Sequence, residues 1–138
     1  MEIRRLDPDD ATLVLDAAYL FDSEPTPAWT SEFLARDDHH LLVAFIEGEP
    51  VGFVSGVEIV HPDKQNEMLL YELGVDENHR RRGIGTKLVE ALKALAIERG
   101  SRGMWVVIDD ADEVAASTYL TTGATERERA EVITWDFR

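Results

Sequence analysis

Short alternating or wholly apolar runs are separated by polar, Gly- and Pro-bearing breaks along the entire chain, and that spacing predicts strands interleaved with a few helices. Glu2 to Leu6 reads as a first strand. Asp7-Pro8-Asp9-Asp10 supplies capping chemistry for a helix running to about Phe21, and Pro25 and Pro27 then break the chain ahead of a short helix over Trp29–Ala35. Leu41–Ile46 and Val51–Val60 form a strand pair around the turn Glu47-Gly48-Glu49-Pro50, and a loop at His61–Asn66 leads into a strand from Glu67 to Val75. After Gly85 the period changes. Leu88, Leu92, Leu95 and Ala96 recur at three- and four-residue intervals, the mark of an amphipathic helix, which Gly100 ends. A strand from Met104 to Ile108, a helix near Glu113–Thr121 and strands around Thr125–Arg129 and Val132–Phe137 complete a mixed α+β sheet in one domain spanning 1–138.

Composition narrows the function. With 44% hydrophobic and 30% charged residues the chain belongs among globular proteins, and no apolar run approaches the roughly 20 residues of a membrane span. No basic-then-apolar leader opens it, and with no cysteine it has no disulfide, thiolate nucleophile or Cys-ligated zinc, so the expected location is cytoplasmic. A formal charge of −14 repels nucleic acid and anionic membranes and favours a cationic partner. Positive charge concentrates at Arg80, Arg81, Arg82 and Lys87, whereas acid dominates Asp22–Glu24 and Asp109–Glu113. One end suits an anionic cofactor and the other a cationic acceptor; the plainer alternative is that the acid only confers solubility.

The richest stretch is Asn78-His79-Arg80-Arg81-Arg82-Gly83-Ile84-Gly85-Thr86, which joins the Glu67–Val75 strand to the long helix. Gly83 and Gly85 remove side chains where the backbone turns, so amides of the helix N-terminus can converge on a phosphate. Spacing separates the known phosphate loops. There is no Gly-Lys-Ser/Thr ending, which excludes a Walker loop, and only two glycines of a G-x-G-x-x-G fingerprint are present. What remains is Arg80-x-x-Gly83-x-Gly85 behind Leu73-x-Val75, a pattern that resembles the coenzyme A loop of the GNAT N-acetyltransferase superfamily; an ordinary strand-to-helix connection with a solvated basic patch is the alternative. Downstream, Ala115-x-x-x-Tyr119-x-x-x-Gly123 behind an apolar strand resembles the helix that closes the acetyl site of the same superfamily, in the same order along the chain.

The resemblance implies a mixed, mostly antiparallel sheet flanked by helices, whose central strands ending near Val75 and Ile108 splay apart. Backbone groups that lose ladder partners at a splay need others, and a pantetheine arm could pair with Leu73, Gly74 and Val75 as an added strand. Gly74 would leave room for it and could mark a bulge, with an amide near Leu73 or Gly74 facing the thioester oxygen. Acetyl transfer from acetyl-coenzyme A to an amine moves two protons. Tyr119 matches the tyrosine that protonates the departing thiolate. Glu72, of opposite side-chain parity to Leu73 and Val75, is the candidate base or amine orienter, ahead of Glu67 and Glu58; a solvated strand residue with a water relay is the alternative.

Within the superfamily, Tyr71–Val75, His79–Ile84 and the acidic loop Asp109-Asp110-Ala111-Asp112-Glu113 most resemble the type I aminoglycoside 3-N-acetyltransferases. That resemblance implies a polycationic acceptor held by Glu72, Asp109, Asp112 and Glu113. The family often carries Asp where Glu72 stands and Asp-Pro where Glu113 follows Asp112, a departure that bears on regioselectivity. A polyamine, a protein N-terminus or a lysine would satisfy the same carboxylates, and an acetyl-coenzyme A-binding sensor or interaction module is the reading outside catalysis. The 61–66 loop and the Asp22–Pro27 segment are expected to shape the acceptor mouth. His39, His40, His61 and His79 lack ligand spacing, so no metal is assigned. Trp29, Trp105 and Trp135 are expected as core or cleft-wall packing, and a homodimer is compatible with the family, its surface not legible.

Overall fold

The computed structural model describes all 138 residues. Five strands, β1 (Glu2–Arg5), β2 (His39–Ile46), β3 (Glu49–His61), β4 (Lys64–Val75) and β5 (Met104–Trp105), form a sheet in that spatial order. The first four are antiparallel neighbours and only β5 runs parallel to its neighbour β4. Helices α1 (Ala11–Asp16) and α2 (Pro27–Ala35) cover one face, α3 (Ile84–Glu98) covers the other, and α4 (Glu113–Thr121) packs beside α3. This is the expected α+β architecture.

Apolar side chains sort to the two faces by strand parity. Leu42, Ala44, Val51, Val54, Met68 and Leu70 meet Ile84, Leu88, Val89, Leu92 and Ala96 of α3, whereas Leu41, Val43, Phe45 and Phe53 meet Leu6, Val14 and Leu34. Leu88 and Leu92 are fully buried, each burial contributing about 1.5–3 kcal/mol of transfer free energy. The three- and four-residue spacing of α3 exists to line that one stripe.

Several elements differ from the sequence-based expectation. The helix expected to reach Phe21 stops at Asp16, where the Ala17 N–H is shared between the Leu13 and Val14 carbonyls and a 3-10 turn over Ala18–Leu20 follows. The Tyr19 hydroxyl donates to the Pro50 carbonyl at 2.6 Å, holding this tighter turn against the β2–β3 end. Helix α2 starts earlier than expected, at Pro27, because Thr26 caps it through the Trp29 N–H. The expected 61–66 loop is a tight hairpin, with His61 opposite Lys64, so it cannot form a long mouth. Strand β5 is two residues rather than Met104–Ile108. The expected strands at Thr125–Arg129 and Val132–Phe137 do not form, and the outer edge of β5 stays unpaired. Trp29, Trp105 and Trp135 are exposed instead of packed in a core or cleft wall.

Candidate active site

Strand β4 sets the site because it loses its neighbour halfway along. It pairs with β5 only at Met68 opposite Met104 and Leu69 opposite Trp105, whereas its other edge stays paired with β3 as far as Val75. From Leu70 to Val75, therefore, the β5-side edge is open, as the resemblance implies, although β5 ends at Trp105 rather than near Ile108. Its parity is reset by a bulge. Ser55 faces Glu72 and Gly56 faces Leu70, so Tyr71 is the extra residue; the bulge lies there and not at Gly74. Beyond it, the Asp76 N–H donates to the Val51 carbonyl at 2.9 Å, which by strand alternation turns Gly74 toward β3 and aims the amides of Leu73 and Val75 at the open edge. The same flip lays the Leu73 and Val75 side chains against the α3 core and leaves Glu72 on the α1–α2 face.

Gly74 has a different reason from the one expected. A Cβ there would come within 2.6 Å of the Phe53 ring and 3.0 Å of the Leu20 carbonyl oxygen, so glycine makes room for the α1–α2 connection rather than for a ligand. Phe21 stacks on Phe53 at 4.4 Å between centroids, and this fixes the next residue, Asp22, over β4. Glu72 and Asp22 feel each other: half-burial first, and then the Asp22 carboxylate, raise the Glu72 carboxyl above its ordinary value. Asp22 is the acidic neighbour that strand parity alone did not bring to Glu72.

At the end of β4 the chain makes the turn foreseen for a phosphate. The His79 imidazole bonds to the Asp76 carboxylate at 2.6 Å and the Arg80 Nε donates to the Val75 carbonyl at 3.3 Å. Arg81 (φ 63°) and Gly83 (φ 77°) both adopt the left-handed conformation, strained for the arginine and free for the glycine. No side chain caps α3, whose first bond runs from the Lys87 N–H to the Gly83 carbonyl, so the amides of Ile84, Gly85 and Thr86 are open to an anion. A Cβ on Gly85 would be 3.8 Å from both Leu73 and Val75 and 3.9 Å from Thr118, so the α3 start, the open β4 edge and α4 meet at this one point. Arg80, Arg81 and Arg82 lead into it along the chain. These features fit an extended, amide-bearing phosphate ester such as coenzyme A: an open strand edge for the arm and a positive helix terminus for the pyrophosphate.

Helix α4 brings Tyr119 to the opposite wall. The ring is half-buried against the α3-side core, and its hydroxyl has no hydrogen-bond partner in the protein. Burial, reinforced by Asp112, raises its pKa, which keeps the phenol protonated and able to donate. The acidic loop serves structure as well as charge. Asp112 caps α4 by accepting from the Ala115 N–H at 3.0 Å, Glu113 pairs with Arg127 at 3.1 Å, and Asp110 pairs with Arg129 at 2.8 Å. Asp109 is exposed and has no ionic partner. The four carboxylates expected to converge on an acceptor thus fall into two groups, Glu72 with Asp22 and the loop acids near Tyr119.

The lesser base candidates are engaged with other partners. The Glu58 carboxylate is buried, accepting from His40 Nε2 at 2.7 Å and from the Arg99 guanidinium, which also pairs with Asp37 at 2.9 Å. Arg5 Nε donates to His40 Nδ1 at 3.0 Å, so His40 is a neutral Nε2–H tautomer, its pKa lowered chiefly by burial. Glu58 therefore holds β2, β3 and α3 together, and Glu67 sits beside Arg102 at 3.7 Å. No group of His, Cys, Asp or Glu is arranged to hold a metal, and no helix is long and apolar enough to cross a membrane. Two shallow cavities, of about 570 and 410 Å³, lie by the β2–β3 turn and are lined by none of these site residues.

Relatives carry the same architecture. The L-2,4-diaminobutyric acid acetyltransferase of Streptomyces coelicolor is 31% identical over 129 residues, which cover 89% of this chain and 66% of the relative. The chain spans only about 55–66% of the length of the first curated relatives it matches. An aminoglycoside acetyltransferase from an uncultured soil metagenomic sample, solved with sisomicin, superposes with a TM-score of 0.88 at 23% identity, covering 99% of this chain and 96% of the other. A second soil metagenomic aminoglycoside acetyltransferase superposes at 0.80 with 28% identity, covering 98% of each chain. The model of the acetyltransferase (GNAT) family matches residues 3–123, taking in the open β4 edge, the arginine–glycine turn and Tyr119. By that match, over the same residues that build the cleft, the chain belongs to the GNAT acetyltransferase family.

Proposed function

We propose that the chain transfers an acetyl group from acetyl-coenzyme A to a primary amine of a small polycation, an aminoglycoside being the acceptor class favoured here. The observation that carries the reading is the meeting, around Gly85, of an open strand edge, an uncapped helix N-terminus and the helix α4 that bears Tyr119. The thioester supplies an activated acyl carbon. The chain does the rest. Leu73 and Val75 present backbone groups along the arm, Arg80–Thr86 hold the pyrophosphate, and the Leu73 amide, rather than that of Gly74, which is turned toward β3, is the candidate donor to the carbonyl oxygen. Glu72, its carboxyl raised by burial and Asp22, accepts the proton of the incoming ammonium directly or through water. Tyr119 donates its proton to the departing sulfur.

The net charge of −14 and the Glu72 carboxyl, which feels the Asp22 charge, support a cationic acceptor, and the metagenomic relative at 28% identity supports the aminoglycoside class. The 3-N amine is the position that the sequence resemblance implies. A second reading has its own support: the curated relative at 31% identity is a diaminobutyric acid acetyltransferase, and a short diamine would also seat between Glu72 and Asp22. A thiol-release assay with acetyl-coenzyme A against gentamicin-type aminoglycosides, spermidine, 2,4-diaminobutyrate and a peptide pool separates these. Turnover highest on aminoglycosides, with mass spectrometry placing the acetyl group on the 3-amine, is the expected result. Turnover confined to diaminobutyrate would replace the acceptor, and cofactor binding without turnover on any amine would overturn the catalytic reading.

A further inference from the structure

Tyr71 is the one large side chain of β4 that the fold does not use. From Asn66 to Val75 every other residue of the strand is buried or half-buried, yet Tyr71 is exposed by 72%. It joins neither apolar cluster. Of the three tyrosines only Tyr19 bonds through its hydroxyl, and the aromatic pairs of the molecule are Phe21 with Phe53 and Phe33 with His39. Burial is the main contribution a ring of this size makes to a fold, and here it is forgone.

The bulge is the cause. Because Ser55 faces Glu72 and Gly56 faces Leu70, Tyr71 is extra to the ladder, and a bulge re-aims the residue it adds. Leu70 is buried against α3 and Glu72 is turned to the α1–α2 face, which leaves Tyr71 between them at the edge that β5 has left. Its place along β4 relative to the cofactor is equally definite. The pyrophosphate end lies at the α3 start beyond Val75, and the Leu73 amide is the donor to the thioester. Tyr71 comes two residues farther, roughly 6–7 Å past Leu73 and on the acceptor side of the acyl group. Glu72 adjoins it, and the Asp22 charge reaches Glu72.

We propose that Tyr71 is the platform on which the acceptor rests, and that it selects a cyclic polyamine, such as an aminocyclitol, over a linear one. This rests on the acetyl-transfer reading above and narrows its acceptor. An aromatic face attracts an ammonium group and the polarised C–H bonds beside it, and a rigid ring offers several of these in one plane. A linear diamine reaches the carboxylates by its ends and gains little from a flat surface. Carboxylate and ring thus divide the work: Glu72 takes the proton from the reacting nitrogen, and Tyr71 holds the body of the acceptor in place.

The test compares Tyr71→Leu and Tyr71→Phe with the wild type, by thiol release at saturating acetyl-coenzyme A with sisomicin or spermidine as acceptor. Tyr71→Leu should raise the sisomicin KM about 10-fold with kcat within twofold, whereas Tyr71→Phe should hold it within twofold, since the ring and not the hydroxyl acts. The spermidine KM should stay within twofold in both. Calorimetric titration of sisomicin onto protein saturated with coenzyme A should show the same loss whether or not sisomicin turns over. Coenzyme A affinity and the melting temperature should not change, because the side chain supports no part of the fold. A wild-type sisomicin KM and Kd in Tyr71→Leu would overturn the platform and leave acetyl transfer standing. An equal loss in Tyr71→Phe would overturn the role of the ring, and an equal loss on spermidine would overturn the selection of cyclic acceptors. A wild-type protein that neither binds nor acetylates sisomicin would overturn the platform and the acceptor class together.

Discussion

Replacing Tyr119 with phenylalanine removes one oxygen atom that nothing in the protein holds. The ring keeps its packing against the α3-side core, so stability should change by less than about 0.5 kcal/mol and the melting temperature by less than about 3 °C. The hydroxyl's absence from every internal hydrogen bond makes this separation of fold from chemistry possible. If that hydroxyl protonates the departing thiolate, its loss should lower kcat by about 100-fold, or about 2.7 kcal/mol of transition-state stabilisation. Coenzyme A affinity should stay within about twofold, because binding rests on the β4 edge and the α3 terminus. The assay is thiol release at saturating acetyl-coenzyme A, alongside calorimetric titration with coenzyme A and a thermal melt. Because burial and Asp112 raise the wild-type pKa, Tyr119 stays protonated from pH 7 to 9, and no alkaline loss of rate over that window should belong to it. A kcat within twofold of wild type would refute the acid assignment, and a fall in kcat matched by an equal fall in coenzyme A affinity would relocate the residue to binding.

Glu72→Gln should lower turnover yet raise the melting temperature at pH 8. A carboxyl whose folded pKa is raised favours folding most below its ordinary value and loses that contribution as pH rises through the raised one, so the gain should vanish by pH 4, and a gain independent of pH would refute the argument. Glu58→Ala should cost about 3 kcal/mol in urea unfolding because it strands Arg99 and the His40 N–H, while sparing kcat in the folded enzyme; a stable but inactive variant would return Glu58 to the list of bases. Gly74→Ala should cost about 1–3 kcal/mol through its clash with Phe53 and Leu20 and should raise the acceptor KM more than the coenzyme A Kd, by displacing Asp22; unchanged unfolding would show that the α1–α2 connection yields freely.

Local chemistry was legible wherever the sequence needed it locally. Asp7 and Asp10 form a reciprocal cap, Glu47 and Gly48 both take positive φ in the hairpin turn, and the α3 stripe reaches the core at the expected spacing. Gly83, Gly85 and the arginines could be read as an anion turn because a helix start and left-handed glycine are decided within a few residues. Partner identity was not legible. Glu58 and Glu72 are both strand glutamates between apolar or aromatic neighbours, yet one lies between His40 and Arg99 and the other feels the charge of Asp22, and those partners are 18 to 50 positions away along the chain.

The sequence by itself thus determined the order of elements as far as Thr121, the two-faced sheet and the arginine–glycine turn, which follow from periodicity and from backbone demands at single residues, whereas Tyr119 as candidate acid rested on the resemblance. Tertiary structure alone decided the bulge at Tyr71, since an extra residue is defined only against the strand opposite. It decided that Gly74 yields to Phe53 and Leu20, and that Asp112 serves as a cap. It also decided the fate of the C-terminal segment, whose alternation promises a strand but which pairs with no other segment of the chain. A strand is a relation between two chain segments, and only the folded arrangement says whether the second one is there.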